Sequence, residues 1–255
     1  MSARDGKTYR LNVNGFPVEA GFSCEETKTV LDAVIKKIRT AHEENKNEKA
    51  LRTVVYLSGP PGAGKSTLAL SLIERAKESS FPYRMQCLGL DGFHLKSSVL
   101  KNSFCVLKGK QVLLNDVKGA PETFDQTAFR DRLKECIYNK KAYWPVYDRN
   151  IHDVSDEPHE VDGQILIVEG NWLLMSGIWA QAAECASLTV SLSASEQTLR
   201  KRLIERKTRG GKTLEEAREW FRMVDGPNAE RYRLESKKSD IEIAETENGL
   251  RILSE

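Results

Sequence analysis

Residues 59–67 read GPPGAGKST, between the apolar run TVVYL and the stretch LALSLIERA. Gly59, Gly64, Lys65 and Ser66 satisfy the spacing G-x-x-x-x-G-K-[ST]. Glycines let backbone N–H groups turn toward phosphate oxygens, and a helix starting near Lys65 aims its positive dipole end at the same oxygens. The expected nucleotide pocket is therefore Gly59, Pro60, Pro61, Gly62, Ala63, Gly64, Lys65, Ser66 and Thr67. Lys65 is expected to reach the β- and γ-phosphates of ATP, and Ser66 to ligate Mg²⁺. The open question is where the terminal phosphate goes: to water, to a macromolecule or to a small molecule.

Two carboxylates bear on that question. Asp91 stands in LDGFHL and Glu169 in VEGNWLL, each after a short apolar run. In a parallel sheet, ligands gather beyond the carboxyl ends of the strands, so both are expected near the γ-phosphate. A hydroxyl that accepts a phosphoryl group loses a proton, and a carboxylate can take it. Asp91 is the candidate base. Glu169 follows four apolar residues and is the candidate to hold Mg²⁺ through water. Each also reads as a solvated carboxylate or a cap at a strand end. The most basic stretch, LRKRLIERKTRGGKTLEEA, carries Arg202, Arg206 and Arg209 at a spacing that shares one helix face. Gly210-Gly211 ends that helix.

The elements that must position these groups begin at about residue 52. TVVYLS, MQCLGLD, ILIVEG, SLTVSLS and DIEIAE read as five short strands, apolar in the manner of strands covered on both faces. Helical patterns after Lys65 and at about 126–139, 195–209 and 213–222 fill the gaps. The result expected is an α/β fold: a three-layer P-loop arrangement around a mostly parallel five-stranded sheet. TENG suggests a final turn, with LRIL as an extra edge strand. VDGPNAERY breaks one helix and starts another, with Asn228 as a candidate cap. Asp125, before QTAFRDRLKECI, is placed as an N-cap. Before residue 50 the pattern differs. TYRLNVNGFPVEAGFS alternates around Asn14-Gly15, a hairpin signal. Ser23 and Glu26 form a capping box before a helix to about His42, and EENKNEKA reads as a linker. The chain thus divides into an N-terminal hairpin and helix over 1–50 and a main domain over 51–255, with the arginine segment at about 200–215.

The 255 residues are 40% apolar and 30% charged, an ordinary globular profile. A net charge of +2 and no basic stripe rich in aromatics speak against nucleic acid as a partner. No apolar run approaches the roughly 18 residues of a membrane span, so no membrane partner is expected. The five cysteines are scattered, without a C-x-x-C pair. That argues against a zinc site or a disulfide framework and for reduced thiols in a cytoplasm. MSARDGKTYR holds no signal core, again pointing to a cytoplasmic protein. A homodimer is compatible with all of this.

GPPGAGKST, LDGFH, KGAPETFD, WPVYDRNIH, IVEGNWLL and RLIERK occur in this order over residues 53 to about 245. The set resembles the P-loop kinases that include uridine kinase, bacterial pantothenate kinase and phosphoribulokinase. DGFH, KGAPETFD, YDR, VEGNWLL and DGPN look more closely like a bacterial nucleoside/nucleotide kinase or fructose-transport-system kinase subgroup. The resemblance implies ATP- and Mg²⁺-dependent transfer to a small hydroxyl-bearing metabolite. It implies a base at Asp91, with Tyr147 and His152 beside the acceptor, and a lid of Arg202, Arg206 and Arg209 with Arg206 foremost. His94 either faces the acceptor or fills the loop after Asp91. Nucleoside kinases carry an acidic residue before the P-x-x-F-D motif; here Lys118 and Gly119 stand there. That departure puts a nucleoside in doubt, and Lys118 either favours an anionic acceptor or is solvated. A P-loop ATPase or GTPase switch is the rival of another class.

Overall fold

The computed structural model describes residues 6–45, 49–107, 109–148 and 151–254. Part of the EENKNEKA stretch and the Arg149-Asn150 pair of WPVYDRNIH lie outside them. The main elements are β1 (Lys7–Val13), β2 (Phe16–Phe22), and a helical run α1 made of Cys24–Glu26, a π-turn Thr27–Asp32 and Ala33–Glu43. Then follow β3 (Thr53–Ser58), α2 (Lys65–Glu78), β4 (Met85–Gly89), β5 (Phe104–Leu107), β6 (Lys110–Leu113) and α3 (Gln126–Tyr138). The rest comprises β7 (Ile165–Gly170), β8 (Leu188–Ser193), α4 (Glu196–Arg209), α5 (Leu214–Trp220), α6 (Gly226–Glu235), β9 (Ile241–Thr246) and β10 (Gly249–Ser254).

The central sheet has six strands in the order β10-β9-β8-β3-β7-β4. Five run parallel, and β10 is the antiparallel edge expected of LRIL. Strand alternation sorts the apolar side chains onto two faces. Val55, Leu57, Ile165 and Ile167 join one core with α2, while Val54, Tyr56, Leu166 and Val168 join another with α3. Because both faces are covered, β3 is buried along its whole length. The chain leaves β3 toward β4 on one side and leaves β7 toward β8 on the other. Such a switch point opens a crevice at the carboxyl ends of β3 and β7.

The N-terminal segment folds as its sequence predicts. Asn14 and Gly15 both take positive φ, 53° and 87°, as a type I′ turn requires. Ser23 and Glu26 exchange both hydrogen bonds of the capping box. Tyr9, Leu11, Val30, Leu31 and Ile38 are buried in the same core as α2 and β3. Arg75 of α2 donates to both carboxylate oxygens of Asp32, at 2.7 and 3.0 Å. The hairpin and α1 thus share the sheet's core on the α2 face.

Two expectations are corrected. MQCLGLD is strand only to Gly89, and Asp91 lies in a tight 3₁₀ turn, Leu90–Phe93. VDGPN does not break the helix: α5 continues through a π-turn, Phe221–Asp225, into α6. Pro227 comes directly after the π-turn, in which the Gly226 N–H bonds to Phe221 O, five residues back. Asn228 is a buried residue inside that run, not a cap.

Candidate active site

The phosphate loop connects the buried β3 to α2. Gly64 precedes α2 with φ +98°, a left-handed conformation that a side chain strains. Gly62 is likewise positive at 83°. A Cβ on Gly59 would overlap the Leu192 carbonyl of β8. Pro61 and Ala63 are buried, while Gly62, Gly64, Ser66 and Thr67 are partly open. Lys65 is buried, and its Nζ donates to Pro60 O at 3.1 Å and Asn171 Oδ1 at 2.7 Å. Burial pushes the ammonium down to about 8; Glu169 and Asp91 oppose that fall, and Arg206 adds to it. Desolvation has therefore put Lys65 where added negative charge would restore it.

Glu169 sits on β7 beside Gly89 of β4. Ser66 Oγ donates to Glu169 Oε1 at 2.8 Å. The hydroxyl and the carboxylate proposed for Mg²⁺ are thus adjacent. Among the described residues no group of three or more His, Cys, Asp and Glu could hold a metal. The Ser66 hydroxyl beside the Glu169 carboxylate is a hard oxygen pair of the kind that suits Mg²⁺, which keeps several waters and takes other ligands from phosphate.

Asp91 is carried by the turn after β4, close enough to Lys65 for its charge to act there. Gly92 seats this turn: a Cβ there would overlap the Pro145 carbonyl oxygen. Trp144, buried, donates from Nε1 to Gly89 O at 2.8 Å and braces the end of β4. His94 pairs Nδ1 with Asp91 O at 2.9 Å, and its ring lies 4.0 Å from Phe124 and 5.3 Å from Tyr147. Lys118 Nζ stands 5.1 Å from the Tyr147 ring centroid and donates to His152 O at 2.9 Å. His94, Tyr147 and Lys118 therefore form one linked group, which Asp91 joins through its backbone carbonyl. His152 joins it through its carbonyl; its side chain is exposed at φ 53°. Asp125 caps α3, accepting from Ala128 N at 2.9 Å.

The three arginines separate. Arg202 makes a two-pronged pair with Glu245 of β9, at 2.6 and 2.7 Å, and its Nη1 lies 3.9 Å from where a Cβ on Gly64 would sit. Arg206 is exposed, yet its charge acts on Lys65. Arg209 is exposed in the last turn of α4.

Asn171, which holds Lys65, was not singled out by its sequence. Its one signal is its position two residues after Glu169, just past the end of β7. Asp225, buried beside α4, carried no signal beyond its place in DGPN.

The fold and the loop define a P-loop nucleotide-binding protein of kinase-like architecture. The AAA domain family profile matches residues 55–221, and the chain belongs to that family. It is 34% identical to YggC of Escherichia coli strain K12, over 94% of this chain and 96% of that one. A candidate uridine kinase of Schizosaccharomyces pombe is 31% identical over 61% of this chain and 66% of its own. Among solved structures, a candidate fructose transport system kinase of Silicibacter sp. TM1040 superposes with a TM-score of 0.72. It is 26% identical, with 84% of this chain and 98% of that chain covered. YFH7 of Saccharomyces cerevisiae shares the fold, with a TM-score of 0.65 at 17% identity, covering 85% of this chain and 99% of its own. The resemblance to P-loop kinases read from the motifs holds.

Proposed function

We propose that the protein is a kinase that moves the γ-phosphate of ATP, with Mg²⁺, to a hydroxyl of a small metabolite, sugar or sugar-like. One observation carries the reading: Glu169 on β7, bonded to Ser66 of the phosphate loop, and Asp91, in the turn after the neighbouring β4, both act by their charge on Lys65. A nucleotide switch needs only the metal-side acid. A second carboxylate, on a turn whose backbone carbonyl holds His94 and through it the Tyr147 and Lys118 group, supports an acceptor site. The sugar class leans on the fructose transport system kinase among the similar structures.

In this reading Asp91 takes the hydroxyl proton of the acceptor as its oxygen bonds to the γ-phosphorus. The bond from that phosphorus to the bridging oxygen breaks, and ADP leaves with the electron pair. Lys65 and Arg206 offset the charge on the phosphate oxygens. Ser66 and Glu169 would hold Mg²⁺, which neutralises phosphate charge when bound. Lys118, over the Tyr147 ring, suits an acceptor bearing an acidic group. A pantothenate-type acceptor, itself a carboxylate, fits this feature better than a nucleoside does.

A panel of sugars, nucleosides, pantothenate-like acids and their phosphates, scored by acceptor-dependent ADP release, tests the proposal. At least one compound should raise ADP release well above the rate with water alone. If none does, the switch reading takes its place.

A further inference from the structure

Helix α6, which opens in the DGPN stretch, carries Asn228, Arg231 and Tyr232 at i, i+3 and i+4, so they share one face. Tyr232 is buried in the core on the α3 side of the sheet, which fixes the helix. Asn228, also buried, has Nδ2 3.8 Å from where a Cβ on Gly119 would sit. Arg231 Nη1 reaches both carboxylate oxygens of Glu122, at 2.7 and 2.9 Å. Its Nε donates to Glu235 Oε2 on its own helix, at 3.1 Å. Arg231 and Glu122 are each 27% exposed, so salt screens this pair less than it does a surface pair. A guanidinium presents its donors in a rigid fork, which sets direction as well as attraction.

Glu122 belongs to KGAPETFD, in the 3₁₀ turn Pro121–Thr123. Local hydrogen bonds make that turn one piece with the backbone of Lys118. Gly119 N donates to Thr123 Oγ1 at 3.0 Å, and Thr123 Oγ1 donates to Ala120 O at 2.7 Å. Ala120 N in turn donates to Val117 O at 2.9 Å. Thr123 is fully buried, and Gly119 O accepts from the buried Trp172 indole at 3.0 Å. On the other side, Leu95 N donates to Thr123 O at 2.9 Å, and Asp125 N to Phe93 O at 2.8 Å, bracketing His94. Glu122 is thus a handle by which α6 holds the turn that carries Lys118.

We propose that Arg231 is a positioning residue for the acceptor: through Glu122 it fixes the 117–123 turn and so aims the Lys118 ammonium at an acidic group of the acceptor. Lysine is a point charge on a flexible stem, so its aim depends on where its backbone is held. Lys118 Nζ already rests on His152 O at 2.9 Å and over the Tyr147 ring, contacts that a displaced turn would lose. The inference rests on the kinase reading with Lys118 at the acceptor.

The test supplies γ-labelled ATP, Mg²⁺ and a protein-free extract of small cellular metabolites as the acceptor source, and reads label transfer against extract concentration. Arg231→Gln should raise the extract needed for half-maximal transfer about tenfold, as loss of a hydrogen bond to a charged group does. Maximal transfer and affinity for a non-hydrolysable ATP analogue should stay within about twofold, since Arg231 touches neither the reacting atoms nor the nucleotide loop. Lys118→Gln should raise the same half-saturation, and adding Arg231→Gln to it should change nothing further, because the aimed group is gone. An Arg231→Gln curve equal to wild type, or effects that multiply in the double variant, overturns the inference. So does a matching loss of maximal transfer and of ATP-analogue binding, which a merely structural role would give. If Arg231→Gln does not fold, Arg231→Lys decides, because it keeps the charge and loses the fork. It should still raise half-saturation several-fold, and wild-type saturation overturns the inference. No transfer by wild-type protein fails the kinase reading itself, and this inference with it. Wild-type transfer without an Arg231 effect fails this inference alone.

Discussion

The contact that sequence reasoning missed at the heart of the site is Asn171 Oδ1 on Lys65 Nζ, at 2.7 Å. Lysine is a flexible point charge, and its buried ammonium needs acceptors to stay aimed. Hydrogen bonds to charged groups are worth about 1.5–3 kcal/mol, which is about 10- to 100-fold in binding. Asn171→Ala should therefore weaken binding of a non-hydrolysable ATP analogue by about tenfold or more, as calorimetry would read. Unchanged affinity would make Asn171 a bystander. The phosphate loop was legible because its residues act through local backbone geometry, which spacing alone encodes. Asn171 was not, because its reach to Lys65 depends on β7 lying beside β3. Arg202 shows the same limit: its helix face was readable, but its pairing with Glu245, 43 residues away, was not.

At the scale of elements, the carboxylate proposed as the base depends on a glycine that carries no chemistry. The Leu90–Phe93 turn lies against the Pro145 carbonyl, and only a residue without Cβ fits at Gly92. Gly92→Ala forces the turn to move, with an overpacking cost of about 1–3 kcal/mol. A displacement on the order of 1 Å at Asp91 can cost about 100-fold in rate. The variant should thus keep its affinity for the ATP analogue, lose most phosphoryl transfer and melt several degrees lower. Retention of both transfer and melting temperature would contradict this account of the turn. The strands of the sheet were readable because burial on both faces leaves an unbroken apolar run. The end of β4 was misjudged by two residues, since Leu90 stays buried after the ladder has stopped. The α5–α6 run was hidden for a different reason. Gly226 and Pro227 resemble a break, yet the π-turn just before them shifts the hydrogen-bond register and the helix runs on.

Across the whole molecule, the N-terminal helix is tied to the sheet by His42. Its Nδ1 pairs with Thr53 Oγ1 of β3 at 2.8 Å, and its ring meets Tyr83 at 4.2 Å. Burial holds its pKa below the usual value, partly offset by Glu43. The unfolded chain takes up this proton near pH 6.5, before the folded one does. Stability from this group is therefore complete above about pH 6.5 and is lost as pH falls below it. Melting temperature should decline from pH 7 to 5.5, and His42→Gln should flatten that slope; an unaltered slope would show that His42 is not its source.

The same whole-molecule view bears on the central claim, because β7 lies between β3 and β4 and so brings the phosphate loop and the Asp91 turn to one end of the sheet, as the proposed direct transfer needs. The measurement is the fate of label from γ-labelled ATP with Mg²⁺ and a protein-free extract of small cellular metabolites, resolved by chromatography and mass spectrometry. Wild-type protein should move label into a phosphorylated small molecule. Asp91→Asn should do so about 10²–10⁴ times more slowly, the usual range for loss of a general base, while binding the ATP analogue normally. Label found only as inorganic phosphate with both proteins, or equal transfer by both, would contradict the account.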